Sequence, residues 1–163
     1  SEDDERFPRL DEILGDVAAT MPINLELKRR RADIGRFVER LGEAIDGRDN
    51  LLMSSFDWDL LAAVRRAMPD RPIAPIGSRQ PHALLRAAEQ LDAWSVHCHR
   101  RLAFGDFISA ARVSGWPVLV YTVNDVELGG QLIDRGVSGL FTDAPERMLV
   151  ALARSVEPGE EEE

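Results

Sequence analysis

Residues Ile23-Asn24-Leu25-Glu26-Leu27-Lys28 alternate apolar and polar side chains. That alternation predicts a strand with Asn24, Glu26 and Lys28 on one face and Leu25 and Leu27 on the other. Inside a sheet covered on both faces such a polar row is costly unless its members pair or bind something. A carboxylate two residues from an ammonium suits a divalent cation together with an anionic substrate. Glutamate ligates a hard metal, and lysine meets a phosphate oxygen. The plain alternative is an edge strand with one wetted face. Lys28 bears on the choice, because it is the sole lysine among 20 basic residues. A chain that uses arginine everywhere else keeps a compact point charge here, where a planar guanidinium would not be equivalent.

Other polar residues have simpler readings. Asp57, after Ser54-Ser55-Phe56, stands at a strand-to-helix junction and reads as an N-cap. Asn124 with Glu127, and Asp143 with Glu146, have capping-box spacing at the starts of the last two helices. Tyr121 lies on a strand as core or pocket wall. His97 and His99 bracket Cys98 at a strand end, but no third histidine or cysteine lies near enough in sequence to complete a zinc site. G-x-G-x-x-G, P-loop and G-x-S-x-G motifs do not occur.

Composition narrows the classes further. The 163 residues fit one domain, and 44% apolar content is enough for a core. The net charge of -9 resides in Glu2, Asp3, Asp4, Glu5, Glu157 and Glu160 to Glu163, which leaves the body neutral. Residues 1–6 and 156–163 are therefore expected to be acidic disordered ends flanking a domain over 7–155. Without a basic surplus, and with 6% aromatics, a nucleic-acid-binding domain is disfavoured. Cys98 is the only cysteine, so no intrachain disulfide forms. No apolar run is long enough to span a bilayer, and the acidic start is the opposite of a signal or transit peptide. A cytoplasmic protein is expected.

The elements that must position these residues follow from periodicity. Helices are expected at Leu10 to Thr20, Asp33 to Ile45, Asp57 to Met68, Pro81 to Leu91, Phe104 to Ser114, Asp125 to Arg135 and Ala144 to Ser155. Strands are expected at Ile23 to Lys28, Leu51 to Met53, Pro72 to Ile76, Trp94 to His97, Pro117 to Val123 and Val137 to Thr142. Pro72 and Pro75 remove ladder donors, so the third strand is expected to be short or irregular. Regular alternation means parallel strands with right-handed crossovers, an α/β domain. An open doubly wound sheet and part of a (β/α)8 barrel both fit, and the helix ahead of the first strand suggests an absent upstream segment.

Five segments in order resemble the glycerophosphodiester phosphodiesterase family, most closely its bacterial cytosolic branch. They are Phe7-Pro8-Arg9-Leu10-Asp11-Glu12-Ile13-Leu14, Ile23 to Lys28, Ser54-Ser55-Phe56, Val120-Tyr121-Thr122-Val123-Asn124, and Gly136-Val137-Ser138-Gly139-Leu140-Phe141-Thr142-Asp143-Ala144-Pro145. The stretch from His97 to Leu102 is also similar to that branch. The resemblance runs from about Phe7 to Leu152.

It implies a TIM (β/α)8-type barrel, here incomplete, with six parallel βα units. The implied activity is metal-dependent hydrolysis of glycerophosphodiesters to sn-glycerol 3-phosphate and an alcohol, in lipid and glycerol metabolism, with Mg2+ or Ca2+ as cofactor. Glu26 matches a metal ligand, Lys28 a substrate-facing lysine, and Phe56 and Tyr121 aromatic substrate-pocket positions, the last more often tryptophan. The family's H-R-G and H-D histidines and its strand-borne E-x-D pair are expected on an absent N-terminal segment. Catalytic residues are thus expected to be missing, and the chain alone inactive. Open sheet edges are expected to invite self-association or pairing with the missing part. The alternative from another class is a non-catalytic α/β ligand-binding or interaction module.

Overall fold

The computed structural model describes residues 7–16, 20–29 and 32–154. The expected disordered ends, and the expected helical residues 17–19, lie outside the described residues. The chain divides into two compact units, the first ending at Ile73 and the second starting at Ala74.

The first unit contains α1 (Leu10–Asp16), β1 (Ile23–Glu26), α2 (Ile34–Ala44), β2 (Leu51–Ser55) and α3 (Trp58–Ala67). The two strands pair in parallel, with Ile23 opposite Leu51 and Glu26 opposite Ser54. Strand β1 ends two residues earlier than its alternation suggests, although the Leu27 N–H still donates to the Ser54 carbonyl at 2.7 Å. Both helices start on the expected aspartates. Asp33 accepts from the Arg36 N–H, and Asp57 accepts from the Leu60 N–H at 3.0 Å. Their apolar stripes, Val38 and Leu41 on one and Leu60, Leu61 and Val64 on the other, are buried together with Leu51 and Met53. At about 25 cal/mol per Å2, each such side chain contributes roughly 1.5–3 kcal/mol.

The second unit begins within β3 (Ile73–Gly77) and continues through α4 (Pro81–Gln90), β4 (Val96–His99), α5 (Phe107–Val113), β5 (Val118–Tyr121), α6 (Val126–Asp134), β6 (Gly139–Leu140) and α7 (Pro145–Arg154). Strands neighbouring in the chain neighbour one another in the sheet, all parallel. The expected irregularity of β3 takes a defined form. All five residues are buried, yet its register with β4 starts only at Ile76, just after Pro75, which has no N–H to offer. Behind the sheet, Val96, Cys98, Val118 and Val120 are fully buried, as are Leu84, Ala88, Ala111 and Leu132 from the helices. Close packing explains Gly129, because a Cβ there would lie 2.7 Å from Met148 Sδ of α7.

Besides β1, several boundaries differ from expectation: β2 runs on to Ser55 instead of ending at Met53, and β6 is only Gly139–Leu140 instead of Val137 to Thr142. Strand β4 covers Val96–His99 rather than Trp94 to His97, since Trp94 is 55% exposed and pairing starts where the Val96 N–H meets the Pro117 carbonyl. The expected helix from Phe104 is preceded by a single 3-10 turn, Arg100–Leu102, and begins at Phe107. Helix α6 is capped by Asp125, not Asn124, because Asn124 is taken up elsewhere. With its alternating βα units the chain has the α/β class of a TIM-type barrel, in incomplete form with six parallel strands.

Candidate active site

In the first unit the site grows from the end of β1. Leu27 is buried, while Asn24, Glu26 and Lys28 are exposed, so the alternation places the polar row on the uncovered face. Lys28 Nζ lies 3.3 Å from Glu26 Oε1, with the lysine side chain 73% and the glutamate 35% exposed. An ion pair this wet is worth at most about 1 kcal/mol, so either partner can turn to a ligand at little cost. Register partners in a parallel ladder share a face, which puts Ser54 beside Glu26. Ser54 is fully buried, and its Oγ has no hydrogen-bond partner among the described residues.

The neighbouring residues hold this strand end in place. Ser55 Oγ donates to the Leu27 carbonyl at 2.8 Å and accepts the Asp57 N–H at 3.0 Å, which ties β1 to the start of α3. Asp57 Oδ2 also accepts from Arg29 Nε at 3.1 Å and pairs with its Nη2 at 3.0 Å. Phe56, between these anchors, is 53% exposed at the C-terminal end of β2. Barrel enzymes place their sites at such ends.

The cation that the resemblance implies needs several oxygen ligands. Among the described residues no three of His, Cys, Asp and Glu stand together to hold a metal ion. Glu26 fits as a single ligand, and the donor set does not amount to a whole site.

In the second unit Tyr121 ends β5, with its hydroxyl donating to the Gly77 carbonyl at 3.0 Å. Its ring meets His99 edge-on, with centroids 5.6 Å apart. His97 sits inside β4 rather than at its end and is 1% exposed. Its ring packs edge-on to Phe141 at 5.1 Å, and Nε2 lies 3.2 Å from Ser95 Oγ. Burial pushes its pKa down to about 4, so the imidazole is neutral and walled off. Cys98, on the opposite face, is pushed up to about 12 by burial and is inert as a thiolate. Asn124 forms a hub near the end of β5. Its Nδ2 donates to Asp143 Oδ2 at 2.7 Å, while its Oδ1 accepts from the Asp143 N–H at 2.9 Å and from Thr142 Oγ1 at 3.1 Å. The Asn124 and Asp143 side chains thus hold the ends of β5 and β6 together, and Asn124 leaves the cap of α6 to Asp125.

Of the residues singled out, Glu26 and Lys28 meet, and Phe56 follows the adjacent strand of the same unit. Tyr121 belongs to the second unit and contacts His99. Sequence reasoning gave no role of its own to Ser54, which the register sets opposite Glu26, or to Arg100 and Arg101 directly after His99, although both lie in segments that resemble the family.

These features put a polar row at the C-terminal end of β1 on a (β/α) scaffold. The model of the glycerophosphoryl diester phosphodiesterase family matches residues 1–147, and the chain belongs to that family. Its fold is similar to an Oleispira antarctica phosphodiesterase solved with the product sn-glycerol-3-phosphate, with 28% identity, 82% of this chain, 56% of that one and a TM-score of 0.75. A candidate glycerophosphoryl diester phosphodiesterase from Silicibacter pomeroyi shares 25% identity over 90% of this chain and 55% of its own, at TM-score 0.78. A Thermotoga maritima glycerophosphodiester phosphodiesterase, at 24% identity, shares the fold over 90% of this chain and 64% of its own, at TM-score 0.71. The chain thus spans between 55% and 64% of the length of these three. No curated protein matches it.

Proposed function

We propose that the chain carries part of the active site of a phosphodiesterase that hydrolyses glycerophosphodiesters to sn-glycerol 3-phosphate and an alcohol. The observation that supports this most is the Glu26–Lys28 pair at 3.3 Å on the uncovered face at the end of β1. Glu26 would supply one oxygen ligand to Mg2+ or Ca2+, which when bound neutralises phosphoryl oxygen charge. Lys28, a mobile three-donor cation, would take a phosphoryl oxygen of the substrate. The resemblance assigns Phe56 of the first unit and Tyr121 of the second to substrate-pocket positions; the Tyr121 hydroxyl is engaged by Gly77, which leaves its ring for such a role.

Hydrolysis of a diester also needs a proton acceptor for water and a donor for the leaving alcohol. The family's H-R-G and H-D motifs do not occur in these 163 residues, whose histidines are His82, His97 and His99. His97 is buried, and the 163-residue chain by itself is proposed to be inactive. A role in lipid and glycerol metabolism in the cytoplasm belongs to the same reading. Among the described residues no helix is long and apolar enough to cross a membrane. A non-catalytic module would be better served by an apolar β1, and the polar row speaks against it.

The test is an assay of the isolated chain with glycerophosphocholine and either Mg2+ or Ca2+, reading released glycerol 3-phosphate. No release above the protein-free control is expected. Robust release by the chain alone would show that other residues carry the chemistry, with half-buried His99 the first to examine.

A further inference from the structure

The second unit holds a cationic cluster that the reading above leaves unused. Arg100 and Arg101 open the 3-10 turn after β4, directly following His99. Arg100 reaches the end of β5, where its Nη1 lies 3.4 Å from the Thr122 carbonyl oxygen. The Arg101 N–H donates to His99 Nδ1 at 3.1 Å, and the His99 ring abuts Tyr121. Tyr121 is itself fixed to the end of β3 through Gly77. The ends of three adjacent parallel strands therefore share one cluster.

Both arginines are exposed, and neither has a carboxylate within ion-pair distance among the described residues. His99 feels the same imbalance. Burial, then Arg101, then Arg100 push its pKa down, and no carboxylate acts against them. Two guanidinium forks without a counter-charge, beside a neutral imidazole and an aromatic wall, make a receptor for an oxyanion. The unit places that receptor at C-terminal strand ends, where barrels bind their ligands.

We propose that Arg100 and Arg101 form an anion site that takes the phosphate group of a glycerol phosphate ester, with His99 and Tyr121 as its wall. The site stands on this geometry; naming a glycerol phosphate ester as its ligand rests on the function proposed above. The group can arrive on a monoester, sn-glycerol 3-phosphate, with three non-bridging oxygens, or within a diester, glycerophosphocholine, with two; both offer oxyanion acceptors to the guanidinium donors.

The experiment is an NMR titration of the whole 163-residue chain at low salt, following the His99 and Tyr121 rings. Inorganic phosphate is added first, then each ester. Saturable shifts at millimolar phosphate are expected. Arg100→Gln and Arg101→Gln should each weaken binding by about tenfold, the size of one charge-assisted hydrogen bond. Arg101→Lys keeps the charge without the fork and should lose less, a gradation that general destabilisation would not produce. Tighter binding of the monoester assigns the site to product, and equal or tighter binding of the diester assigns it to substrate; either supports the site. No saturable change at the two rings, or equal binding by the Arg100→Gln/Arg101→Gln double variant, overturns it. Lys28→Gln separates the two readings. If it alone abolishes binding, phosphate sits in the first unit and the anion site is wrong while the proposed function stands. If the arginines control binding but no diesterase activity can be assembled, the proposed function fails and the anion site stands.

Discussion

Replacing His97 with leucine should change how the stability of the protein depends on pH more than it changes the stability itself. His97 is 1% exposed, and burial pushes its pKa from 6.5 down to about 4. The unfolded chain therefore takes up a proton at higher pH than the folded one. Stability from this group is whole above pH 6.5 and is lost as the pH falls from there toward 4. At pH 5 the unfolded imidazole is almost all protonated and the folded one almost all neutral, which removes about 2 kcal/mol relative to pH 7.5. For a chain of this size that is a drop of roughly 4–8 °C in Tm. Carboxylates also titrate over this range, so the quantity to measure is the difference between wild type and His97→Leu. Thermal melts at pH 7.5 and 5.0 should show a smaller acid-induced drop in the variant by about that amount, whatever the absolute cost of losing the Ser95 contact. NMR titration of the His97 ring should place its midpoint near 4. Parallel pH dependences, or a midpoint near 6.5, would mean that the imidazole is hydrated and the packing around Phe141 is wrong.

Three further outcomes follow from the structure. Asp57→Ala removes both the cap of α3 and the partner of Arg29, and should cost about 1–2 kcal/mol in denaturant unfolding; no loss would show that neither contact matters. Gly77→Ala places a Cβ 2.9 Å from the Leu84 side chain and should destabilise by about 1–3 kcal/mol in the same assay, whereas a neutral result would mean that α4 shifts freely. Among the described residues β1 pairs only with β2, so sedimentation velocity should reveal concentration-dependent association; a monomer at all concentrations would show that the edge is protected.

Local chemistry made much of the fold legible. Period-two alternation placed β1 and its polar row, and Asp33 and Asp57 marked the starts of α2 and α3 because a cap needs only a side chain three residues before an N–H. The misplacement of β4 has a non-local cause. Trp94 extends the apolar pattern, but the strand starts where the Pro117 carbonyl is available, two residues later. Asn124 and Asp125 are adjacent and equally good caps. The choice fell to Asp125 because Asn124 bonds residues 142–143, a contact invisible to a short window. The pair of site residues that meet, Glu26 and Lys28, could be found because they are two residues apart on one alternating segment at the end of β1. The engagement of Tyr121 by Gly77, the burial of His97 and the isolation of the Ser54 hydroxyl depend on partners brought together by the sheet.

The most direct measurement is glycerol 3-phosphate release from glycerophosphocholine after the 163-residue chain is combined with a segment carrying the family's H-R-G, E-x-D and H-D motifs, in the presence of Mg2+ or Ca2+. Turnover is expected with the wild-type chain, and its loss with Glu26→Gln, because the amide keeps the shape of the side chain but not the charge that holds a cation. Undiminished turnover by Glu26→Gln in that mixture would contradict the assignment of the β1 polar row as the catalytic face.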